Sequence, residues 1–386
     1  MNSSSFRVLL LISTLLLLCA LPKPISAVEE DQETNPLCPP GVYMNGRLDC
    51  APLGPSQYLT EMAKKGITFP QIPLPIRRPD PALNKIMYEY AYVDEDRAPI
   101  YKTLEDAVKS KQGKVVRRIL PGFNYVSYTE RVYQGGKHYF KTKVGWMSAN
   151  DIIPTSIPEF QGAEFTSTPS EPFGWVLNYF SQKGKVETKR TPGYDKSDYT
   201  GHVLNHLDIV QIFDVQKAGR WNWYMVGPDE WIVQTAIAKV TPDPTPPSGN
   251  HWDRWIEVNL YEQTLSVYED GELIFATLMA TGVDPYWTYP GTFRIYEKLK
   301  YTDMRGRFAE DKSDWYYLEN VPWTMYYDDR RALHGAYWRA RLGYPQSHGC
   351  VNLSVGDARW LYEWSMIGDI VYVHDPSGKT PPHPDF

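Results

Sequence analysis

The sequence predicts a mainly β protein built of several short-stranded modules, the last of which carries one short helix. Three observations predict it. Short runs of aromatic and β-branched residues recur between turn formers, as strands do. The chain holds 28 Tyr, 13 Trp and 32 Pro, a mixture that suits pleated modules with many turns. Sustained helical periodicity is rare, the clearest case being Ser354 to Trp364, where Val355, Ala358, Leu361 and Tyr362 share a face. With 386 residues, two or three domains are expected.

The chain opens with an apolar run, Val8 to Ala20, behind Arg7, and Ile25-Ser26-Ala27 offers a small-residue cleavage site. Residues 1–27 are therefore read as a signal peptide. The run is too short to span a bilayer comfortably, and Pro22 and Pro24 break it. The expected destination is the periplasm or the extracellular cell wall. Residues 28–83 form an irregular arm, acidic at Glu29, Glu30, Asp31 and Glu33 and rich in proline from Pro70 to Pro81, with one short helical pattern from Ser56 to Lys65. Cys38 and Cys50 flank turn formers there and are expected to pair in an oxidising compartment. Cys350 is then the odd thiol of the exported chain.

Residues 84–155 carry the runs Tyr90–Val93, Tyr125–Tyr128, Tyr139–Thr142 and Gly145–Met147, with Gly135-Gly136 as a hairpin signal. Residues 165–242 carry Leu207–Phe213, Trp221–Val226 and Trp231–Val233. The two segments end alike: Gly145-Trp146 before Ile152-Ile153-Pro154 echoes Glu230-Trp231 before Val240-Thr241-Pro242. Both resemble bacterial SH3-like wall-targeting domains, which implies two small β-barrel modules and either contact with the wall or a spacer role. Residues 243–250 are a proline-rich, semi-rigid linker.

The last domain, 251–376, begins with alternating Trp255–Leu260, then Gln263–Tyr268, a turn at Asp270-Gly271, and Leu273–Ala280. Gly291–Tyr296 is a further strand, Ser354–Trp364 the helix, and Ile370–Val373 a buried closing strand. Residues 377–386 are expected to be a disordered tail.

Near its end the chain reads Ser347-His348-Gly349-Cys350-Val351-Asn352-Leu353, with His334-Gly335 upstream. A thiol attacks as thiolate, and an imidazole is the usual group that takes its proton. Leu260–Gly271, Gly291–Ile295, His334-Gly335, Ser347–Leu353 and Gly368–Val371 follow one another in an order that resembles the L,D-transpeptidase (YkuD) catalytic domain. That resemblance implies a C-terminal mixed β-sandwich with a short helix, and a peptidoglycan acyltransferase needing no cofactor and no metal. In it Cys350 is the nucleophile, His334 the proton donor and acceptor and His348 a supporting residue, and the backbone N–H groups of Gly349 and Cys350 are oxyanion donors. Ser347, Asn352 and Gly335 would position the loop or the substrate, with the Gly335 carbonyl orienting the His334 ring. The implied partners are stem peptides of peptidoglycan. Tyr289 stands where the family often has Pro, and Tyr296 to Arg331 is a longer, more aromatic stretch than a minimal domain needs, read either as a cover for the donor site or as plain packing.

Three alternatives stay open. The same pair could pass the acyl group to water, as in a carboxypeptidase. His334, His348 and Cys350 could hold a metal, although no fourth ligand is evident. The modules could make the chain a non-catalytic wall-binding protein. A net charge of −6 argues against a nucleic-acid partner, and a monomer is expected.

Overall fold

The computed structural model describes residues 54–385, apart from 70, 180–183, 196, 248–249 and 307–314. Cys38, Cys50 and the N-terminal apolar segment lie outside the described residues. The chain divides at residue 61 into two units, and of the first only the start of the helix Gly54–Lys64 is described. No helix among the described residues is long and apolar enough to cross a membrane.

Two sheets build the C-terminal domain. The first has seven strands, in the order Ile76–Arg77, Ala163–Phe165, Glu272–Leu278, Thr264–Glu269, Arg254–Asn259, Ile370–His374 and Gly291–Arg294. Its central strands are largely buried, with Val258, Leu265, Val267, Phe275 and Leu278 fully enclosed. Two of its strands come from outside the expected domain. Ala163–Phe165 pairs with Phe275 and Ala276, and arm residues Ile76 and Arg77 pair with it in turn. Gly162 permits the entry, because a Cβ there would lie 2.2 Å from the Ala276 carbonyl oxygen.

The second sheet contributes Glu297–Gly306, Tyr316–Asp328, Arg331–Gly335 and Val351–Leu353. Val321, Trp323, Met325 and Tyr327 of its long hairpin pack with Ile256, Val258, Leu265 and Phe275 into one core. Most of the aromatic stretch after Tyr296 is therefore packing. The helix Val355–Trp364 closes this layer, capped by Ser354, whose hydroxyl accepts from the Asp357 N–H at 3.1 Å. The buried Asp357 carboxylate in turn takes the Gly162 N–H at 2.9 Å and the Thr277 hydroxyl at 2.5 Å, tying helix, sheet and inserted strand together. Asp357→Ala leaves the buried Gly162 N–H without its acceptor and the Thr277 hydroxyl with only the longer bond to the Leu278 carbonyl (3.3 Å), and a loss of about 1–3 kcal/mol is expected in urea unfolding.

Residues 84–155 form an antiparallel module whose hairpin turns at Gly135-Gly136, both at positive φ (60° and 83°). It is no separate bead. Its strand Phe123–Gln134 pairs in parallel with the C-terminal domain, Phe123 to Tyr316 and Tyr125 to Leu318, so one sheet runs through both. Beneath that seam the buried Glu319 carboxylate accepts from the Ser127 N–H (3.0 Å), the Ser127 hydroxyl (3.3 Å) and the Tyr317 hydroxyl (2.7 Å). The second module is two packed sheets, one of three strands and one of five, between Phe173 and Val240.

The tail departs from expectation. Asp375 accepts the N–H groups of Ser377, Lys379 and Thr380 and starts a turn, and His383 packs down with 7% of its surface exposed. Its composition is that of a loose end, yet one polar side chain finds a buried carboxylate, Asp328, and holds the segment.

Candidate active site

The site grows from one strand pair. Arg331–Gly335 and Val351–Leu353 run parallel, with Leu333 opposite Val351, His334 opposite Asn352 and Gly335 opposite Leu353. Alternate residues of a strand share a face, so His334 and Asn352 lie side by side and Cys350, two residues before Asn352, leads onto the same face. A parallel return needs a crossover, and residues 336–349 supply it as a loop. Backbone bonds pin that loop to the first sheet: Gly343 N–H to Met279 O at 2.8 Å, and Gln346 and Ser347 N–H to Thr281 O at 2.9 Å.

Both modules brace the loop as well. Tyr90 stacks on Tyr337 at 3.5 Å between centroids, and Tyr125 lies 6.4 Å from Trp338, itself 5.7 Å from the His334 ring. On the other side Leu177 fills the space above Gly343, and Arg341 sits over the Tyr179 ring, 5.4 Å from its centroid.

A chain of hydrogen bonds fixes the histidine. The Arg339 guanidinium donates through Nε to Asn352 Oδ1 at 2.8 Å. That leaves the Asn352 Nδ2 amide to face His334 Nε2, 3.2 Å away. A donor at Nε2 requires a lone pair there, so the proton sits on Nδ1, which points at the Gly335 carbonyl at 3.2 Å. His334 is 1% exposed. Burial lowers its pKa to about 4, against the Gly335 bond, which raises it; the Arg339 charge lowers it further. The ring is therefore a neutral imidazole at neutral pH, with its basic nitrogen on the face shared with Asn352.

Cys350 is half-buried, and its sulfur lies 3.9 Å from the Arg330 carbonyl oxygen. Burial pushes the thiol above its usual pKa of 9.0, opposed by a backbone contact at Ala332 and by the Arg331 charge. In this arrangement no hydrogen bond joins the thiol to the imidazole. The resting pair is a thiol and a neutral ring, in place of the thiolate that the sequence suggests, because burial disfavours the charged form of both. The acid limb of any rate that needs a neutral His334 is accordingly expected near pH 4, well below the 6.5 of a free imidazole; a kcat/KM profile between pH 3.5 and 8 checks it.

The nucleophile loop is tightly tied. Ser347 is buried, donates to the Cys350 carbonyl at 2.6 Å and accepts the Gly349 N–H at 3.2 Å. Gly349 has φ +111°, and a Cβ there would meet Arg331 Nε at 3.2 Å and Trp287 O at 3.3 Å. The Gly349 N–H is thus spent inside the turn in place of facing an oxyanion. His348 is exposed, with its ring between Tyr286 (4.7 Å) and Tyr316 (5.7 Å), the latter from the end of the long aromatic hairpin. Ser347, Gly349, Cys350, Asn352, His334 and Gly335 meet in one place, whereas His348 is exposed beside Tyr286 and Tyr316. Among the described residues no three His, Cys, Asp or Glu side chains converge as metal ligands.

Sequence reasoning passed over Arg339, Arg331 and Thr288. Thr288 accepts the Gly282 N–H at 2.9 Å and donates to the Gly349 carbonyl at 2.8 Å, so the loop before Gly291 supports the nucleophile directly. Charged residues between His334 and Cys350, in a stretch otherwise rich in aromatics, were the available signal for Arg339.

Residues 253–373 match the family model of the L,D-transpeptidase catalytic domain, YkuD. YciB of Bacillus subtilis (strain 168), whose name assigns it to the L,D-transpeptidases, is 27% identical over 143 residues, covering 33% of this chain and 71% of YciB. Among solved structures, an L,D-transpeptidase from Stackebrandtia nassauensis is 30% identical, with 35% of this chain and 60% of that one covered and a TM-score of 0.26. The catalytic domain of the E. faecium L,D-transpeptidase is 25% identical over 32% of this chain and all of its own (100%), with a TM-score of 0.29. The chain thus spans less than two thirds of the Stackebrandtia protein.

Proposed function

We propose that residues 253–373, an L,D-transpeptidase catalytic domain, make this chain a cysteine acyltransferase that remodels or cross-links peptidoglycan. The observation that carries the reading is the Arg339–Asn352–His334–Gly335 chain of hydrogen bonds, which fixes a neutral base on the face that leads to Cys350. As the thiol approaches the carbonyl carbon of the third stem residue, its proton passes to His334 Nε2, and Asn352 yields that lone pair. The Cys350 N–H supports the developing oxyanion. The tetrahedral intermediate collapses, the imidazolium gives its proton to the departing amine, and D-alanine leaves a thioester on Cys350. An amine of a second stem, deprotonated by the same ring, then takes the acyl group and frees the thiol.

The buried Nδ1 contact with Gly335 keeps the ring in one tautomer through both halves. An export route and wall-facing modules fit this substrate. The test is product analysis with stem tetrapeptides. A cross-linked dimer and free D-alanine, both absent in Cys350→Ala, support transpeptidation. Tripeptide without dimer supports a carboxypeptidase.

A further inference from the structure

We propose that Arg331 is a positioning residue that holds the nucleophile loop and lends the Cys350 sulfur a positive charge, and that the C-terminal segment sets it through a His383–Asp328 contact. The proposal rests on Cys350 being the nucleophile.

Arg331 sits at the start of the strand that carries His334. Its guanidinium reaches three ways. Nε donates to the Trp287 carbonyl at 3.0 Å, which anchors the loop whose next residue, Thr288, holds the Gly349 carbonyl. Nη1 donates to Asp328 Oδ2 at 3.0 Å. Its plane lies 4.5 Å from the Tyr289 ring centroid. The same Nε is what a side chain at position 349 would strike, so arginine and turn are in contact. Among the groups near the sulfur, Tyr326 and Tyr327 are neutral phenols kept protonated by burial, and Arg331 is the cation.

The arginine is held from behind. Asp328 is 7% exposed and shares its carboxylate between Arg331 Nη1 and His383 Nε2, the latter 3.1 Å from Oδ1. His383 is equally buried and packs near Tyr289 (5.2 Å) and Phe293 (5.8 Å). A buried carboxylate with two partners is a fixed counterpart, so the tail decides where the guanidinium points. Tyr289, where the related family often has Pro, serves here as the face on which both Arg331 and His383 rest.

The test is alkylation of Cys350 in the full chain by iodoacetamide at pH 8, followed by intact mass. Arg331→Met is expected to slow it about tenfold, the effect of losing one nearby opposite charge. Arg331→Lys restores most of the rate, and His383→Phe, which keeps the packing and drops the bond to Asp328, slows it less than Arg331→Met does. With tetrapeptide, Arg331→Met lowers kcat and leaves KM near its original value. Unchanged alkylation in Arg331→Met and His383→Phe, with both folded, overturns the proposal. If Arg331→Met does not fold, His383→Phe decides alone: slower alkylation supports the proposal and the parent rate contradicts it. Alkylation needs no peptide, so loss of the transpeptidase reading and loss of this one show up separately.

Discussion

Cys350→Ala is expected to remove D-alanine release from stem tetrapeptides almost entirely, a fall on the order of 10⁴-fold or more, while the fold survives. The reason is chemical. No other described cysteine exists, and in the proposed mechanism the groups around Cys350 accept a proton and an oxyanion without being nucleophiles themselves. The substitution is small and the residue only half-buried, so the melting temperature is expected to stay close to the parent's. A side effect follows from the raised thiol pKa: Cys350 should resist alkylation at neutral pH more than an activated thiolate would, until a substrate enters.

The second large effect is expected at His334. His334→Ala removes the base for the thiol and the acid for the leaving amine together, and a loss of about 10²–10⁴-fold in kcat/KM is expected. Because thiol and ring act as one unit, the double variant Cys350→Ala/His334→Ala should be no slower than Cys350→Ala alone. His334→Ala also leaves the Asn352 Nδ2 donor without its acceptor in a buried place, so a modest loss of stability in denaturant titration is expected beside the kinetic one. The kinetic loss is much larger than that stability loss can explain, which separates the chemical role from a structural one.

How much of this was legible beforehand differs by level. The strands Arg254–Asn259, Thr264–Glu269 and Glu272–Leu278 follow from alternation and from the Asp270-Gly271 turn, and the helix at Val355 follows from its apolar face. These are local signals, carried by neighbours in sequence. The pairing of Phe123–Tyr125 with Tyr316–Leu318 is not local, since both strands look complete without each other. A reading in separate modules therefore missed that the first module stacks Tyr90 on the residue three places after His334. Ala163–Phe165 and Ile76–Arg77 are too short to show any period, and they become strands only because a sheet edge is offered to them.

The site divides the same way. Cys350, His334 and their neighbours stand out by motif, and the structure gathers all but His348 around one strand pair. Which atoms meet is invisible in sequence. Arg339 orienting the Asn352 amide, Thr288 holding the Gly349 carbonyl and His383 reaching Asp328 each depend on side chains brought together by the fold. The tail shows the limit plainly: its prolines and small polar residues signal disorder, and a single histidine with a buried partner reverses the outcome.

The most direct measurement of the central claim is intact-mass spectrometry of the full chain mixed with stem tetrapeptide and quenched in acid within one turnover. The account predicts an adduct equal to the stem tripeptide acyl group, absent in Cys350→Ala, appearing together with one equivalent of D-alanine. D-alanine release without any adduct, or an adduct that persists in Cys350→Ala, would contradict it.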